Sequence, residues 1–170
     1  EFDINTKKLK INFDEPMDSS TCDPSQLQLQ SVSGGGTVVE ITGGAVEPAK
    51  SRTATVTITL NEVDANNIKF ATSLGTAVSN TFLSVKAAFI KDVFANPVAK
   101  IDATNGKKAD SVTADTTAPE LSKFSFSLHT NILTIEFTET VNAATIDVSD
   151  IKFHAKSDGQ NPFKISAGPV

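Results

Sequence analysis

Carboxylate and amide side chains are the functional groups that cluster in this sequence of 170 residues. Two loops carry them, and in a two-layered β-sheet fold both loops are expected to emerge at the same end of the molecule. Oxygen atoms are the ligands that calcium, a hard cation, prefers in proteins. The candidate calcium ligands in these loops are Glu15, Asp18, Asp92 and Asn96.

Two further carboxylates, Asp115 and Glu139, are candidates for the same chemistry. Asp115 is expected to approach Glu139 where two domains meet, so that calcium there would bridge the domains and stiffen the hinge. The alternative is local: Glu15 and Glu139 accept backbone N–H bonds in tight loops, while Asp92 and Asn96 cap a turn. No EF-hand spacing or dense run of aspartates favours the metal. Both interpretations stay open at this point.

Nucleophilic and acid–base catalysis are not indicated. The two histidines, His129 and His154, match amides in an internal repeat (Asn5 and Gln30), so neither is expected to act as a base. No Gly-x-Ser-x-Gly elbow is present, and the glycine run is not followed by the Lys-Ser/Thr of a phosphate loop. The single cysteine, Cys22, has no internal disulfide partner and is expected to be a small buried apolar residue. The sequence predicts a protein that is not an enzyme.

Charge and composition weigh against two further classes of function. The chain has 15 Lys and Arg against 20 Asp and Glu, a formal net charge of −5, which disfavours binding to nucleic acid. Its eleven phenylalanines are accompanied by no Trp or Tyr, the side chains that stacking surfaces use. No apolar run approaches the roughly 20 residues of a membrane-spanning helix, so no membrane span is expected in this segment.

An internal repeat gives the chain its organisation. At an offset of 124 positions, without a gap, Leu9 matches Leu133 and Phe13 matches Phe137. This register predicts a first domain at 1–114, a linker at 115–119 and the first part of a second copy at 120–170, cut from a longer polypeptide. Further matched pairs are Glu15 with Glu139, Thr21 with Thr145, Asp23 with Asp147 and Ser25 with Ser149.

Alternation of apolar and polar residues indicates the elements that must position these groups. It runs through Leu9–Phe13, Thr53–Leu60 and Leu83–Ala87, while only Val63–Phe70 has helical spacing. Short strands separated by turn residues predict an all-β fold, an immunoglobulin-like β-sandwich with one near-complete domain and the start of a second. The phenylalanines expected to matter most in the core are Phe13, Phe82 and Phe137.

Three stretches carry a resemblance to a known family. Ile11–Asp18 (echoed by Ile135–Asn142), Ile90–Pro97 and Asp115–Pro119 resemble, in order and spacing, segments of the bacterial Ig-like repeats of the S-layer protein SbsA type. The resemblance covers the first copy and the beginning of the second. It implies a spacer, structural or adhesive module of a large extracellular protein, without catalysis.

The sequence departs from the family pattern at two positions. Ala95 stands where a glycine is usual, so the turn is strained by about 1 kcal/mol if its φ angle is positive. Thr140 replaces the proline that the first copy has at Pro16. Neither departure changes the predicted fold.

The leading hypothesis is a structural spacer repeat of a long extracellular, cell-surface or filament protein. Its expected partners are neighbouring repeats of the same polypeptide or other copies of it, with a surface ligand as a further candidate. Two alternatives are an adhesive module with a calcium-dependent loop site, and a filament subunit completed by strands from a neighbouring chain.

Overall fold

The computed structural model describes residues 1–157, 159–160 and 162–165, and its regular structure is mostly β-sheet, in agreement with the all-β class predicted from the sequence. The chain divides into two compact units, 1–140 and 141–170. Positions 158, 161 and 166–170 of the predicted second copy lie outside the described residues. In chain order the strands are β1 (Phe2–Asp3), β2 (Lys8–Asp18), β3 (Leu27–Val32), β4 (Gly35–Glu40), β5 (Gly44–Glu47), β6 (Arg52–Leu60), β7 (Phe82–Val85), β8 (Lys91–Asp92), β9 (Lys107–Lys108), β10 (Val112–Thr113), β11 (Leu121–Ser127), β12 (Ile132–Phe137), β13 (Lys152–Phe153) and β14 (Phe163–Lys164).

Helical elements are short. The α-helix, α1, spans Glu62–Phe70. The 3-10 helices are Ser19–Thr21, Pro24–Gln26, Val78–Asn80, Ala103–Asn105, Ala143–Thr145 and Val148–Asp150. Among the described residues, no helix combines the length and the apolar character needed to span a bilayer.

The first sheet is built around the antiparallel pair β2–β6. Its strand order is β10-β1-β2-β6-β5, with β8 also paired to β2. Leu9 lies opposite Ile58, and both are buried, while Lys10 lies opposite Thr57 on the other face. The alternation of aliphatic and polar residues thus puts one face of this sheet on the core and the other towards water.

The second sheet has the order β4-β3-β7-β9 and contributes to the same core. Leu27 and Leu29 of β3 are fully buried, and Val39 and Val85 of the neighbouring strands are buried beside them. The residue after Leu29, Gln30, is also fully buried, and its Nε2 donates to the carbonyls of Val32 at 2.9 Å and Ala103 at 2.6 Å. Strand β3 therefore has both faces covered, which simple alternation does not predict.

Helix α1 confirms the predicted helix, but its buried side differs from the expected one. Asn61 caps it by accepting the N–H of Asp64 at 2.8 Å. The buried residues are Asp64, Ala65 and Ile68, whereas Val63 and Phe70 of the predicted apolar spacing are exposed. Burial of the Asp64 carboxylate is tolerated because it accepts the backbone N–H and the hydroxyl of Thr42 at 2.8 and 2.9 Å.

The phenylalanines at the centre of the core are not those expected from alternation. Phe2 and Phe89 are fully buried. Phe13 is half-buried against the core and stacks on Phe89 with 6.4 Å between ring centroids. Phe82 and Phe137 are also half-buried. The prediction was wrong for these two, because Phe82 lies on the face of β7 opposite to the buried Val85, and Phe137 belongs to the β11–β12 pair, which is part of neither sheet.

Local structure recurs at the spacing of the sequence repeat. The turn residue before β2, Lys7, has a φ of 58°, and its match before β12, Asn131, has a φ of 55°. Asp23 and its match Asp147 each accept from the backbone N–H and the hydroxyl of the serine two positions later. In residues 141–170, β13 and β14 form an antiparallel pair of their own, with Phe153 opposite Phe163.

Candidate functional site at the linker and the carboxylate loops

Strand pairing brings the two predicted calcium loops together. Strand β2 pairs with β8 so that Met17 lies opposite Asp92 and Asp18 opposite Lys91. Glu15 precedes this pairing, in the part of β2 where the register with β6 shifts, and is exposed. The expectation that these loops share one end of the molecule is met for Asp18 and Asp92.

The Asp92 carboxylate is occupied by hydrogen bonds from its own loop. Its Oδ1 accepts from the backbone N–H groups of Phe94 at 2.8 Å and Asn96 at 2.7 Å, and its Oδ2 accepts from the Asn96 amide at 2.8 Å. The hydrogen bond from the Asn96 side chain, with those from the backbone, lowers the pKa of Asp92 against the opposing effect of burial. This arrangement is the local turn cap that the sequence left open as an alternative to calcium.

Asp18 also serves its own loop. Its Oδ1 accepts from the Ser20 hydroxyl at 2.6 Å and the Ser20 N–H at 3.0 Å, and the pKa of Asp18 is lowered by these two bonds. In the described residues, no group of three or more His, Cys, Asp or Glu side chains is arranged to hold a metal ion. The carboxylates of this end thus act as acceptors for nearby N–H and O–H groups, and calcium binding stays a prediction of the sequence.

The other two candidate ligands, Asp115 and Glu139, meet as the sequence predicts, with a lysine between them. Lys69, in the last turn of α1, places its Nζ 2.7 Å from Oε1 of Glu139 and 3.2 Å from Oδ2 of Asp115. Only 8% of the Lys69 side chain is exposed. The ammonium ion thus occupies the position between carboxylates for which calcium was considered.

Electrostatics favours the charged form of Lys69. Burial acts to lower the pKa of the Lys69 ammonium, but the hydrogen bonds to Glu139 and Asp115 and the charges of the two carboxylates outweigh it, so the pKa is raised. A buried ion pair is costly to break from one side, because the partner left behind keeps an uncompensated charge. We call Lys69, Asp115 and Glu139 the lysine clasp.

A second set of bonds ties the linker to the turn between β1 and β2. Asn5 donates from Nδ2 to the carbonyl of Ala114 at 2.8 Å. Its Oδ1 accepts the N–H of Thr116 at 3.0 Å and the hydroxyl of Thr117 at 3.0 Å. One amide side chain therefore bonds three residues on the two sides of Asp115, and the linker is anchored before it reaches β11.

Helix α1 makes one further contact near the clasp. The hydroxyl of Thr140 donates to Oδ1 of Asn66 at 2.8 Å. Thr140 is the position where the first copy has Pro16, and a proline has no hydroxyl to donate. Threonine at this position therefore makes a hydrogen bond to α1, near the clasp, that proline at position 16 of the first copy could not make.

Sequence reasoning missed Lys69, Asn5 and Asn66. The acidic pair Asp115 and Glu139 signals that a cation is needed, but nothing in the spacing of 15 basic residues singles out Lys69. Its selection depends on the end of α1 lying beside the linker, which is a tertiary arrangement.

The two histidines are exposed, whereas the cysteine is partly covered. His129 is exposed in the turn between β11 and β12, and His154 is exposed just after β13. Cys22 is half-buried against the core. Burial, with a smaller contribution from the Asp23 charge, raises the pKa of the Cys22 thiol to about 12, so it is not a thiolate at neutral pH.

Comparison of the chain with protein-family models, with curated proteins and with solved structures found no match.

Proposed function

We propose that this chain is a structural spacer repeat of a long extracellular surface or filament protein, folded as immunoglobulin-like β-sandwiches joined by stiff linkers. The observation that carries the proposal is the lysine clasp, in which one buried ammonium ion binds the linker through Asp115 and the segment just after β12 through Glu139. A spacer needs its joints to resist bending, and this site joins three segments of chain.

The sandwich part of the proposal is supported by the way both sheets share one core. Leu9 and Ile58 of the first sheet belong to the same buried cluster as Leu27 and Leu29 of the second. The β1–β2 hairpin and its match β11–β12 have the same register, since Phe2 lies opposite Leu9 and Phe126 opposite Leu133. Domains that repeat in this way along one chain act as a quasi-linear array.

Stiffness follows from how the linker is held. A free linker of five residues would sample many backbone conformations, and each conformation lost costs free energy. Bonds from Asn5 to residues 114–117 remove that freedom on one side, and the clasp removes it on the other. Pro119 restricts the remaining backbone. A pulling or bending force on the hairpin is thereby passed to the core of the first sandwich.

Spin-label distance measurement tests this stiffness directly. Labels are placed at two exposed positions, Lys91 in β8 and His129 in the hairpin turn, in a Cys22→Ala background. We expect a narrow distance distribution in the parent chain and a wider one in Lys69→Met, because the variant leaves Asp115 and Glu139 facing each other without a cation.

Lys123→Met is the matched control. It also replaces one lysine with methionine, but the lysine lies in β11 of the hairpin and outside the clasp. Lys123 pairs with Glu136 at 3.1 Å, but 67% of its side chain is exposed, so its pair contributes little. The control should keep the narrow distribution. Equal widths in Lys69→Met and the parent chain would contradict a stiffening role for the clasp.

The place of the repeat in a larger protein is tested on native material. Peptide mapping of the denatured parent polypeptide, isolated from the cell surface, should return peptides of this segment from a chain many repeats long. Recovery of these peptides only from the cell interior would contradict the extracellular assignment.

A further inference from the structure

We propose that Asn105 is a site of spontaneous covalent modification, at which the side-chain amide is lost and an isoaspartyl linkage enters the backbone. The co-reactant is water, and the reacting groups belong to Asn105 and Gly106 themselves. The proposal rests on the loop that precedes β9 and not on the spacer role.

Asn105 combines three features that this reaction requires. It is the only asparagine of the sequence that is followed by glycine. It is exposed at the end of the 3-10 helix Ala103–Asn105. Its side chain makes no hydrogen bond within the described part of the chain, so its amide carbon is free to turn towards the backbone nitrogen of Gly106.

Other asparagines lack at least one of these features. The side chain of Asn80 is held by the Thr76 hydroxyl, to which its Nδ2 donates at 2.6 Å. Asn67 and Asn131, like Asn105, make no side-chain hydrogen bond among the described residues. Both precede isoleucine, whose β-branched side chain crowds the nitrogen that would attack.

The reaction consumes one water and releases one ammonia. The Gly106 nitrogen, after giving its proton to a base in solution, attacks Cγ of Asn105. The new N–Cγ bond closes a five-membered succinimide ring, while the Cγ–Nδ2 bond breaks and Nδ2 leaves as ammonia after taking a proton from water. Water then opens the ring at either carbonyl. One product is an ordinary aspartate, and the other carries the main chain through Cγ.

The surroundings of the Gly106 nitrogen favour the attack. Its N–H donates to the carbonyl of Ala103 at 3.4 Å, which is long for a backbone hydrogen bond and is readily given up. Two exposed lysines, Lys107 and Lys108, follow directly. Their positive charges favour the nitrogen in its deprotonated form. Because both reacting groups are neighbours in one chain, no encounter between molecules is needed to form the ring.

Packing explains why glycine stands beside Asn105. A Cβ at position 106 would lie 2.9 Å from Nε2 of Gln30 and 3.2 Å from Cβ of Phe82, so a larger residue does not fit without displacing them. Gln30 is fully buried and cannot move aside easily. The reactive pair is therefore a consequence of how this loop packs on β3 and β7.

An isoaspartyl linkage would alter the loop between two fixed points. On one side the carbonyl of Ala103 accepts from Gln30 at 2.6 Å and from the N–H of Gly34 at 2.8 Å. On the other side the N–H of Ala109 donates to the carbonyl of Thr81 at 2.9 Å. An extra main-chain carbon between these points shifts β9 along β7, so we expect the pairing of β7 with β9 to weaken.

Ageing of the 170-residue protein under native conditions, in mildly alkaline buffer, tests the proposal. Peptide mapping by mass spectrometry should find the gain in mass that replaces NH2 with OH at Asn105, in two products that separate on chromatography, aspartyl and isoaspartyl. The peptides that contain Asn67 and Asn131 are internal controls and should convert about tenfold more slowly, or less.

Two variants separate the reaction from its consequence. Asn105→Gln lengthens the side chain by one carbon, which disfavours ring closure, and should remain unmodified. Asn105→Asp carries the charge of the product without the extra main-chain carbon. Amide hydrogen exchange at Ala109 should be faster in the isoaspartyl fraction than in fresh Asn105→Asp, by about tenfold or more.

Four results would overturn the proposal or its consequence. One is an unmodified Asn105 after a time in which a synthetic peptide of the sequence 101–109 has converted. A second is equal conversion at Asn67, Asn131 and Asn105. A third is a purely aspartyl product, which would show direct hydrolysis without the ring. The fourth, equal exchange at Ala109 in the isoaspartyl fraction and in Asn105→Asp, would contradict the weakened β7–β9 pairing. None of these results bears on the width of the spin-label distances, so this inference and the spacer proposal fail separately.

Discussion

Ala95 occupies a backbone conformation that its side chain disfavours. Its φ is 69°, in the left-handed region, and its N–H closes a turn by donating to the carbonyl of Asp92 at 3.1 Å. The turn is kept because Asp92 accepts three further bonds from Phe94 and Asn96. The strain expected from the sequence, on the condition of a positive φ, is therefore present in the fold.

Replacing this residue with glycine should stabilise the protein. Ala95→Gly removes the strain of a Cβ at positive φ, a gain that exceeds the extra freedom of glycine in the unfolded chain by about 0.5–1 kcal/mol. Urea unfolding measures the difference. Ala87→Gly, at an exposed turn residue outside the left-handed region, is the control and should be destabilising. A loss of stability in Ala95→Gly would show that the turn is not strained.

At the scale of elements, Phe89 and Phe94 show that a phenylalanine outside the strands is placed in the core by the path of the backbone and not by its residue type. The two lie five positions apart, on either side of the short strand β8, yet Phe89 is fully buried and stacks with Phe13, while Phe94 is 83% exposed. No strand alternation marks Phe89 as a core residue, because it lies in the bend between β7 and β8 and not in a strand. Its carbonyl also accepts the N–H of Asp23 at 2.7 Å, which ties two loops together.

Truncation of these side chains should give very different results. Phe89→Ala is expected to cost about 3–5 kcal/mol of unfolding free energy, because it leaves a cavity that the two sheets cannot close. Phe94→Ala should change the same quantity by no more than about 0.5 kcal/mol. Equal effects in chemical denaturation would contradict the core described above.

At the scale of the whole molecule, the proposed spacer role makes the stiffness of the linker depend on the charge of Lys69. The pKa of Lys69 is raised above its ordinary value of 10.5. A lysine of this kind contributes stability that is fully present below pH 10.5 and is lost as the pH rises through its higher value in the folded state. Stiffness of the linker should therefore be constant across the physiological range.

The spin-label distances described above give the measurement. Their distribution should be unchanged between pH 8 and pH 10 and should widen only at a pH above about 10.5. Lys69→Arg, which keeps its charge at these pH values, is the control and should widen at a higher pH or not at all. Widening of the parent distribution already at pH 8 would contradict the role assigned to the Lys69 charge.

Much of the fold follows from residue pattern alone. Alternation in Leu9–Phe13 and Thr53–Leu60 is a local property of the chain, and the strands β2 and β6 form where it occurs. The helix at Glu62–Phe70 was also predicted, but not its buried side. Its orientation depends on Asp64 reaching Thr42, a contact between residues 22 positions apart that periodicity does not encode.

The candidate site, too, is predicted only in part by the sequence. The sequence by itself determined the β-class, the alternating strands such as β2, β6 and β12, and the meeting of Asp115 with Glu139, because alternating burial and an ungapped repeat can be read from the order of residues. Only the tertiary structure decided that Lys69 joins these carboxylates and that Asn5 anchors the linker. Those contacts span 46 to 112 positions, and the reason lies in packing: the end of α1 is brought beside the linker only when both sheets close on their common core.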